Sequence, residues 1–294
     1  MMNIDNIKSS LDRDGYVVIP GVYNQDEIDE YINEFNLWLS RVDDLEYLHK
    51  YIDYHGIFKH HEVGHQRFAW LARTNPKIIQ IFKQLWDTDD LVTSFDGCCY
   101  YSYDYYGEPR YWTHTDQSKT KIGRHCLQSF LSITDNCERT LIVYRGSHLL
   151  HEEYFKKYNI ENESDWNIIK EEYIQQLEDK KEYLEIKKGS LVIWDSRTFH
   201  QNTCGTPTCS EERLVQYLCY LPKHHELNND TMQNRRRHYF NTRRTTNHWP
   251  YPMNAIPKQP NTYNYYNNDN IKIDYDNLPI PYIDDLMEKI EKII

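Results

Sequence analysis

The residues best suited to chemistry are two histidines and an aspartate. His114 and Asp116 stand two apart after Tyr111-Trp112, and His200 follows a β-prone run far downstream. Two imidazoles and one carboxylate can occupy one face of an octahedral ion and leave three positions open, which is the arrangement of non-haem Fe(II) oxygenases. His-x-Asp by itself says little, since roughly one such match is expected by chance in a chain of this size. Either histidine taken alone reads as an ordinary surface or hydrogen-bonded residue. Order and context add weight. The run 191–194 follows Lys188-Gly189-Ser190 and leads through Asp195-Ser-Arg-Thr-Phe to His200. Arg213 then opens the next β-prone run, where a guanidinium could clamp a carboxylate through two parallel hydrogen bonds.

A second metal pattern competes with the first. His61-Glu62-Val63-Gly64-His65 matches H-E-x-x-H, in which two histidines one helical turn apart bind zinc and the glutamate activates water. Its continuation is poor: Phe68 and Leu71 stand where one zinc-protease class would place Gly and His. Gly64 and the polar lead-in also weaken a long helix. A zinc metalloprotease using His61, Glu62 and His65 is therefore the minor alternative, and loop histidines are the plainer one.

These residues need elements to carry them. Residues 3–13 read as a helix stopped by Gly15, 16–19 as a β run ending at Pro20-Gly21, and 24–39 and 76–86 as amphipathic helices. From residue 91 the pattern changes. Seven short β-prone runs (91–95, 98–103, 125–133, 141–144, 183–186, 191–194 and 214–221) follow with no regular helix between most pairs. That argues for a sandwich or jelly roll and against a parallel α/β sheet. The polar stretch 149–176 reads as a helical insert packed outside the barrel. Residues 250–282, rich in Pro, Asn and Tyr, read as an extended arm, and 283–294 as a closing helix. The expected organisation is a single catalytic domain over 1–294, mostly helical to residue 90, with its β core at 91–221 and a C-terminal basic segment and arm at 222–294.

Composition narrows the partners. The net charge of −11 disfavours a general nucleic-acid binder, which needs clustered Lys and Arg. One basic stretch, Arg235-Arg-Arg-His-Tyr-Phe-Asn-Thr-Arg-Arg244, is either a solvated helix face or a lid that could meet an anionic substrate. The 26 tyrosines suit a β-rich scaffold with many half-buried rings. Seven cysteines without a C-x-x-C pair, a polar N-terminus and no long apolar run point to reduced thiols, no membrane span and a cytoplasmic, soluble protein.

The ordered series Asp14-Gly-Tyr-Val-Val-Ile-Pro-Gly21, Ser94-Phe-Asp-Gly97, Trp112-Thr-His-Thr-Asp-Gln117, Tyr144-Arg-Gly-Ser-His148, Gly189-Ser-Leu-Val-Ile-Trp-Asp195 and His200 resembles the phytanoyl-CoA dioxygenase family of Fe(II)/2-oxoglutarate oxygenases. The resemblance covers about residues 11–221. It implies an α+β fold with a mainly β core, a double-stranded β-helix of jelly-roll or cupin type, flanked by N-terminal helices and a C-terminal arm. It implies His114, Asp116 and His200 as iron ligands and Arg213 as partner of the distal 2-oxoglutarate carboxylate, with Asn202 and Gln128 as further cosubstrate contacts. Gly146-Ser147-His148 reads as a structural turn, not a ligand. The implied reaction is hydroxylation of a small molecule with release of succinate and CO2. Trp112 and Arg197 are the substrate candidates; Tyr103, Tyr105, Tyr106 and Tyr111 either line a pocket or pack on strand faces. Three departures from the family pattern stand out: a loop at 204–209 that lengthens the His200–Arg213 spacing, Val215 where a hydroxyl residue is frequent, and Glu138-Arg139-Thr140 before the turn. The retained Asp116 argues against halogenase chemistry. A scaffold that has lost activity is the non-enzyme alternative.

Overall fold

The computed structural model describes residues 3–42, 55–260 and 272–294. Its contacts divide the chain into two compact units, Met1–Val22 with Tyr101–Arg213, and Tyr23–Tyr100 with Leu214–Ile294. The strands in chain order are β1 (Tyr16–Ile19), β2 (Ile57–Phe58), β3 (Leu91–Thr93), β4 (Cys98–Tyr101), β5 (His114–Thr115), β6 (Leu127–Ser132), β7 (Leu141–Tyr144), β8 (Asn167–Ile168), β9 (Lys181–Tyr183), β10 (Leu191–Asp195), β11 (His200–Asn202) and β12 (Arg213–Pro222).

The first unit opens with the helix Ile4–Asp14, capped by the Asn3 side chain and closed by Gly15 at φ 84°. Only a residue without Cβ suits Gly15, because a Cβ there would lie 2.6 Å from His148 Nδ1 and 2.7 Å from Thr198 Oγ1. The turn delivers β1 antiparallel to β10, with Tyr16 opposite Trp194. β10 in turn pairs with β6, placing Trp194 opposite Gln128 and Val192 opposite Phe130. The order β1-β10-β6 forms one layer, and β8-β5-β11-β7-β9 forms a second sheet. Every pairing described in the unit is antiparallel. β6, β7 and β10 are buried along their whole length, and such strands read as near-continuous apolar runs.

The stretch 149–176 departs from the expected helical insert. It holds the helix His151–Tyr158, the short strand β8 and the one-turn helix Glu171–Ile174. Asn159 ends the first helix in the left-handed region. Beyond it, Asn162, Ser164 and Asn167 hydrogen-bond to one another and to nearby backbone. Side chains of this kind offer the backbone a local alternative to helix. The two helices bury Tyr154, Phe155, Tyr173 and Ile174 in a cluster with Ile142, Tyr144, Ile169 and Phe199.

In the second unit the helix Gln25–Leu39 starts with a capping box between Asn24 and Glu27. Its buried face presents Tyr31, Phe35 and Trp38 to Phe58 and Phe68. β12, β4 and β2 are neighbours in that order, and β3 pairs with β12. The helices Arg67–Arg73, Pro76–Trp86 and Asp230–Asn241 complete the regular structure before the C-terminus. The closing helix is shorter than expected, a 3-10 turn at Asp284–Leu286 followed by Met287–Ile290. Of the expected arm at 250–282, residues 261–271 lie outside the described residues; no helix or strand is assigned in the rest. No described helix is long and apolar enough to cross a membrane, and all seven cysteines are free thiols.

Candidate active site

β5 and β11 pair at a single point, His200 opposite His114. Residues directly opposite in an antiparallel pair share a face, so the two imidazoles meet, with ring centroids 4.4 Å apart. Asp116 lies two residues past His114 and brings Oδ2 to 3.3 Å from each Nε2. The three side chains are buried, and one ligand atom from each lies within 4.8 Å of the others. His114 Nδ1 sits 2.9 Å from the Trp112 carbonyl and His200 Nδ1 2.9 Å from the Thr198 carbonyl. A carbonyl only accepts, so both Nδ1 atoms carry the proton. Burial, with His114 alongside, pushes His200 below its ordinary pKa and favours the neutral ring. In that state both Nε2 lone pairs face the carboxylate. Three electron-rich atoms turned toward one point, with both tautomers fixed from behind, fit a divalent cation.

The surrounding residues hold this geometry in place. Gln128 Nε2 donates to Asp116 Oδ2 at 3.1 Å. The Asp116 N–H donates to the Ser196 carbonyl, and Ser196 Oγ donates to Gln117 Oε1. Trp112 stacks on the His114 ring at 4.8 Å and 24°, while its Nε1 donates to the Asn202 carbonyl. Trp194 meets the His200 ring at 5.3 Å. Ser147 Oγ accepts from the Phe199 N–H, one residue before His200. His148 turns away, its Nε2 against the Asp12 carbonyl, as a structural turn requires.

A second feature lies at the start of β12. Arg213 is fully buried, donates from Nη1 to the Arg139 carbonyl and from Nη2 to Asn202 Oδ1, and lies 5.3 Å from the Phe130 ring centre. Its Nε has no hydrogen-bond partner, and among the described residues no carboxylate pairs with it. Gln128 and Phe130 share one face of β6, since alternate residues of a strand point the same way. Arg139 is also buried, and its guanidinium donates to the carbonyls of Ser102, Tyr105, Cys204 and Cys209, tying down the loop that lengthens the His200–Arg213 spacing.

Two arginine expectations fare differently. Arg197 donates from its N–H, Nε and Nη2 to the carboxylate of Asp195, which also receives Arg124. Burial alone would raise the Asp195 pKa, but Arg197 and Arg124 outweigh it and hold the group low. These bonds hold the Arg197 guanidinium against the loop leading to His200. In the basic stretch, Arg236 is buried against Asn228 and the Pro250 carbonyl, Arg237 pairs with Glu291 and Arg243 with Glu62. Arg235 and Arg244 reach the carbonyls of Met253 and Ile256. Each of these five arginines thus has a partner within the chain.

The zinc-protease alternative has no helix to stand on. His61 and Glu62 are both left-handed, at φ 55° and 53°, and only Val63–His65 forms a 3-10 turn. Gly64 sits where an added Cβ would come 2.3 Å from the Phe95 carbonyl oxygen. His65 is buried beside Trp70, Phe95 and Phe240, with Nε2 against the Arg244 carbonyl. Burial and then Arg73 push its pKa down to about 3. The unfolded chain, with an ordinary value near 6.5, takes up this proton first. The contribution is therefore complete above about pH 6.5 and is lost as pH falls toward 3, by about 1.4 kcal/mol per pH unit. We expect His65→Phe to flatten the acid slope of thermal stability between about pH 6 and 4 by close to one proton; an unchanged slope would rule this account out.

Among the tyrosines, Tyr103 and Tyr106 are exposed, Tyr105 packs against Tyr101 with the rings tilted by 45°, and Tyr111 donates to the Ile169 carbonyl. Sequence reasoning missed Trp166, whose half-exposed ring lies 5.8 Å from that of His114.

Residues 11–203 match the family model described as Phytanoyl-CoA dioxygenase (PhyH). The chain is similar to "Ava biosynthesis cluster protein O" of Aspergillus versicolor, 28% identical over 241 residues that cover 74% of this chain and 77% of that one. Among solved structures, the epimerase SnoN in complex with Fe3+, alpha ketoglutarate and nogalamycin RO aligns with a TM-score of 0.54 at 18% identity, over 74% of this chain and 83% of its own. EctD from S. alaskensis with 2-oxoglutarate and 5-hydroxyectoine aligns at 0.52 and 15% identity, over 75% and 76%. AviO1 from Streptomyces viridochromogenes Tue57 aligns at 0.53 and 13% identity, over 76% and 97%. At these identities the structural likeness carries the fold, the jelly roll of iron and 2-oxoglutarate enzymes.

Proposed function

Because the chain belongs to the phytanoyl-CoA dioxygenase family of Fe(II)/2-oxoglutarate-dependent oxygenases, we propose that His114, Asp116 and His200 hold the iron and that the enzyme hydroxylates a small molecule. The observation that carries the reading is the inward-facing trio of ligand atoms with both histidine tautomers fixed by backbone carbonyls. Iron and 2-oxoglutarate, when bound, supply the oxidising chemistry and release succinate and CO2. The protein's own contribution is placement and exclusion of water. Gln128 orients Asp116 from behind, which makes it a support of the ligand in preference to a contact of the cosubstrate. Arg213 receives the distal carboxylate of 2-oxoglutarate, and Asn202 holds the guanidinium in line. Trp112 and Trp194 wall off the two imidazoles from water.

Anaerobic titration with Fe(II) and then 2-oxoglutarate tests the assignment. The expected result is a weak visible charge-transfer band that appears only when both are present. A scaffold without activity would bind neither in this way, and a missing band would overturn the proposal.

A further inference from the structure

We propose that Trp166 and Ile168 form the substrate-facing wall of this site and that the substrate presents a neutral, ring-bearing or alicyclic face to them; this rests on the proposed function. β8 pairs antiparallel with β5, with Ile168 opposite His114 and Asn167 opposite Thr115. Opposite residues share a face, and alternate residues along a strand return to it. Trp166 and Ile168 therefore lie on the His114 side, while Asn167 and Ile169 point the other way. The burial pattern along β8 runs against ordinary practice. Polar Asn167 is buried at 4% exposure, whereas Trp166 and Ile168 remain 49% and 47% exposed.

Large apolar groups left open on the face of a metal-binding histidine call for an apolar partner. Their exposure is not a product of a loose segment. Ser164 Oγ donates to the Trp166 carbonyl, Asn167 Nδ2 donates to the Ser164 carbonyl, and Asp165 accepts from the Ser118 N–H and the Lys121 ammonium. The indole is thus presented from a fixed backbone, which limits the ordering cost of binding against it. The nearest cation along this segment is already answered, since the Lys121 ammonium pairs with Asp165, the residue before Trp166. Trp112 and Trp166 both border the His114 ring, at 4.8 and 5.8 Å. A flat ring system or an alicyclic skeleton can cover these surfaces; an anionic head group would gain nothing from them.

The test uses the full-length protein with Fe(II) and 2-oxoglutarate under anaerobic conditions. Flavanone and testosterone serve as neutral ring probes, and octanoate and octanoyl-CoA as anionic ones. A ring probe is expected to perturb the visible band. Trp166→Ala should raise its half-saturation concentration by roughly ten-fold or more, and Trp166→Phe should stay within about three-fold. A band without probe should be present in all three proteins, so that each half-saturation is read against its own starting spectrum. Intrinsic fluorescence gives a reading free of turnover: the ring probe should quench the emission that Trp166→Phe removes. Equal half-saturation in wild type and Trp166→Ala, a stronger response to the anionic probes, or no response to either ring probe would overturn the inference. A wild-type protein that shows no band at all would instead count against the metal assignment.

Discussion

Asp116→Ala is expected to abolish both metal binding and substrate-stimulated succinate release while leaving the folded protein intact. Oδ2 of Asp116 is the only anionic donor in the trio, 3.3 Å from both Nε2 atoms. Without it two neutral imidazoles remain, and they cannot offset the charge of a divalent ion. Loss of even an outer partner of a metal ligand costs about 10- to 100-fold in affinity, so loss of the carboxylate itself should exceed about 100-fold. The stability of the metal-free protein should change little, because Asp116 there faces two imidazole lone pairs, a repulsion that alanine removes and that offsets the lost hydrogen bond from Gln128. A ligand at a hundred times its dissociation constant stabilises a fold by about 2.7 kcal/mol. The measurement is the rise in melting temperature on adding Fe(II) anaerobically, present in wild type and absent in Asp116→Ala. A preserved rise, or preserved turnover, would remove these three residues from the metal site.

The second large effect concerns Arg213. A buried guanidinium costs several kcal/mol to desolvate unless its charge is answered. Here the partners are a carbonyl, an amide oxygen and a ring face, with Nε left over. A ligand carboxylate would supply the missing anion through two parallel hydrogen bonds. We expect Arg213→Ala to raise the KM for 2-oxoglutarate by more than about 100-fold, with Fe(II) affinity within about three-fold of wild type. Arg213→Lys should recover only part of the loss, since an ammonium cannot reproduce the planar fork. Steady-state succinate release against 2-oxoglutarate concentration decides the matter. A KM within two-fold of wild type in Arg213→Ala would assign the cosubstrate carboxylate elsewhere.

Much of the scaffold is legible in the sequence because burial on both faces writes itself as an apolar run. β7 and β10 fall where 141–144 and 191–194 predict them. The strands that carry the ligands are less visible: β5 has two residues and β11 three, too short to show a period of two. His114 and His200 could be identified by their order relative to the longer strands and by family resemblance, and their single cross-strand pairing then explains why they meet. Proximity of Arg197 to His200 along the chain says nothing about Asp195, two residues before it, whose carboxylate the Arg197 guanidinium meets. Trp166 lies inside a polar stretch whose composition reads as helix. Its signal was the cluster Asn162, Ser164 and Asn167, residues that favour turns and local hydrogen bonds over helix interiors. The H-E-x-x-H match carried its own warning in Gly64, which the structure uses for close backbone approach.

The pairing of β1 with β10 bears on how this protein can be handled. Within its unit, β1 lies at the outer side of the β1-β10-β6 layer, and the Gly15 carbonyl receives both the Asp195 N–H and the Thr198 hydroxyl. Trimming the chain past Ile19 would strip one full rank of backbone partners from β10. The uncovered strand would then be a sticky margin able to zip onto another molecule. The same cut would also release the carbonyl that steadies the approach to His200. Aggregation and loss of iron would arrive together, though no ligand had been touched.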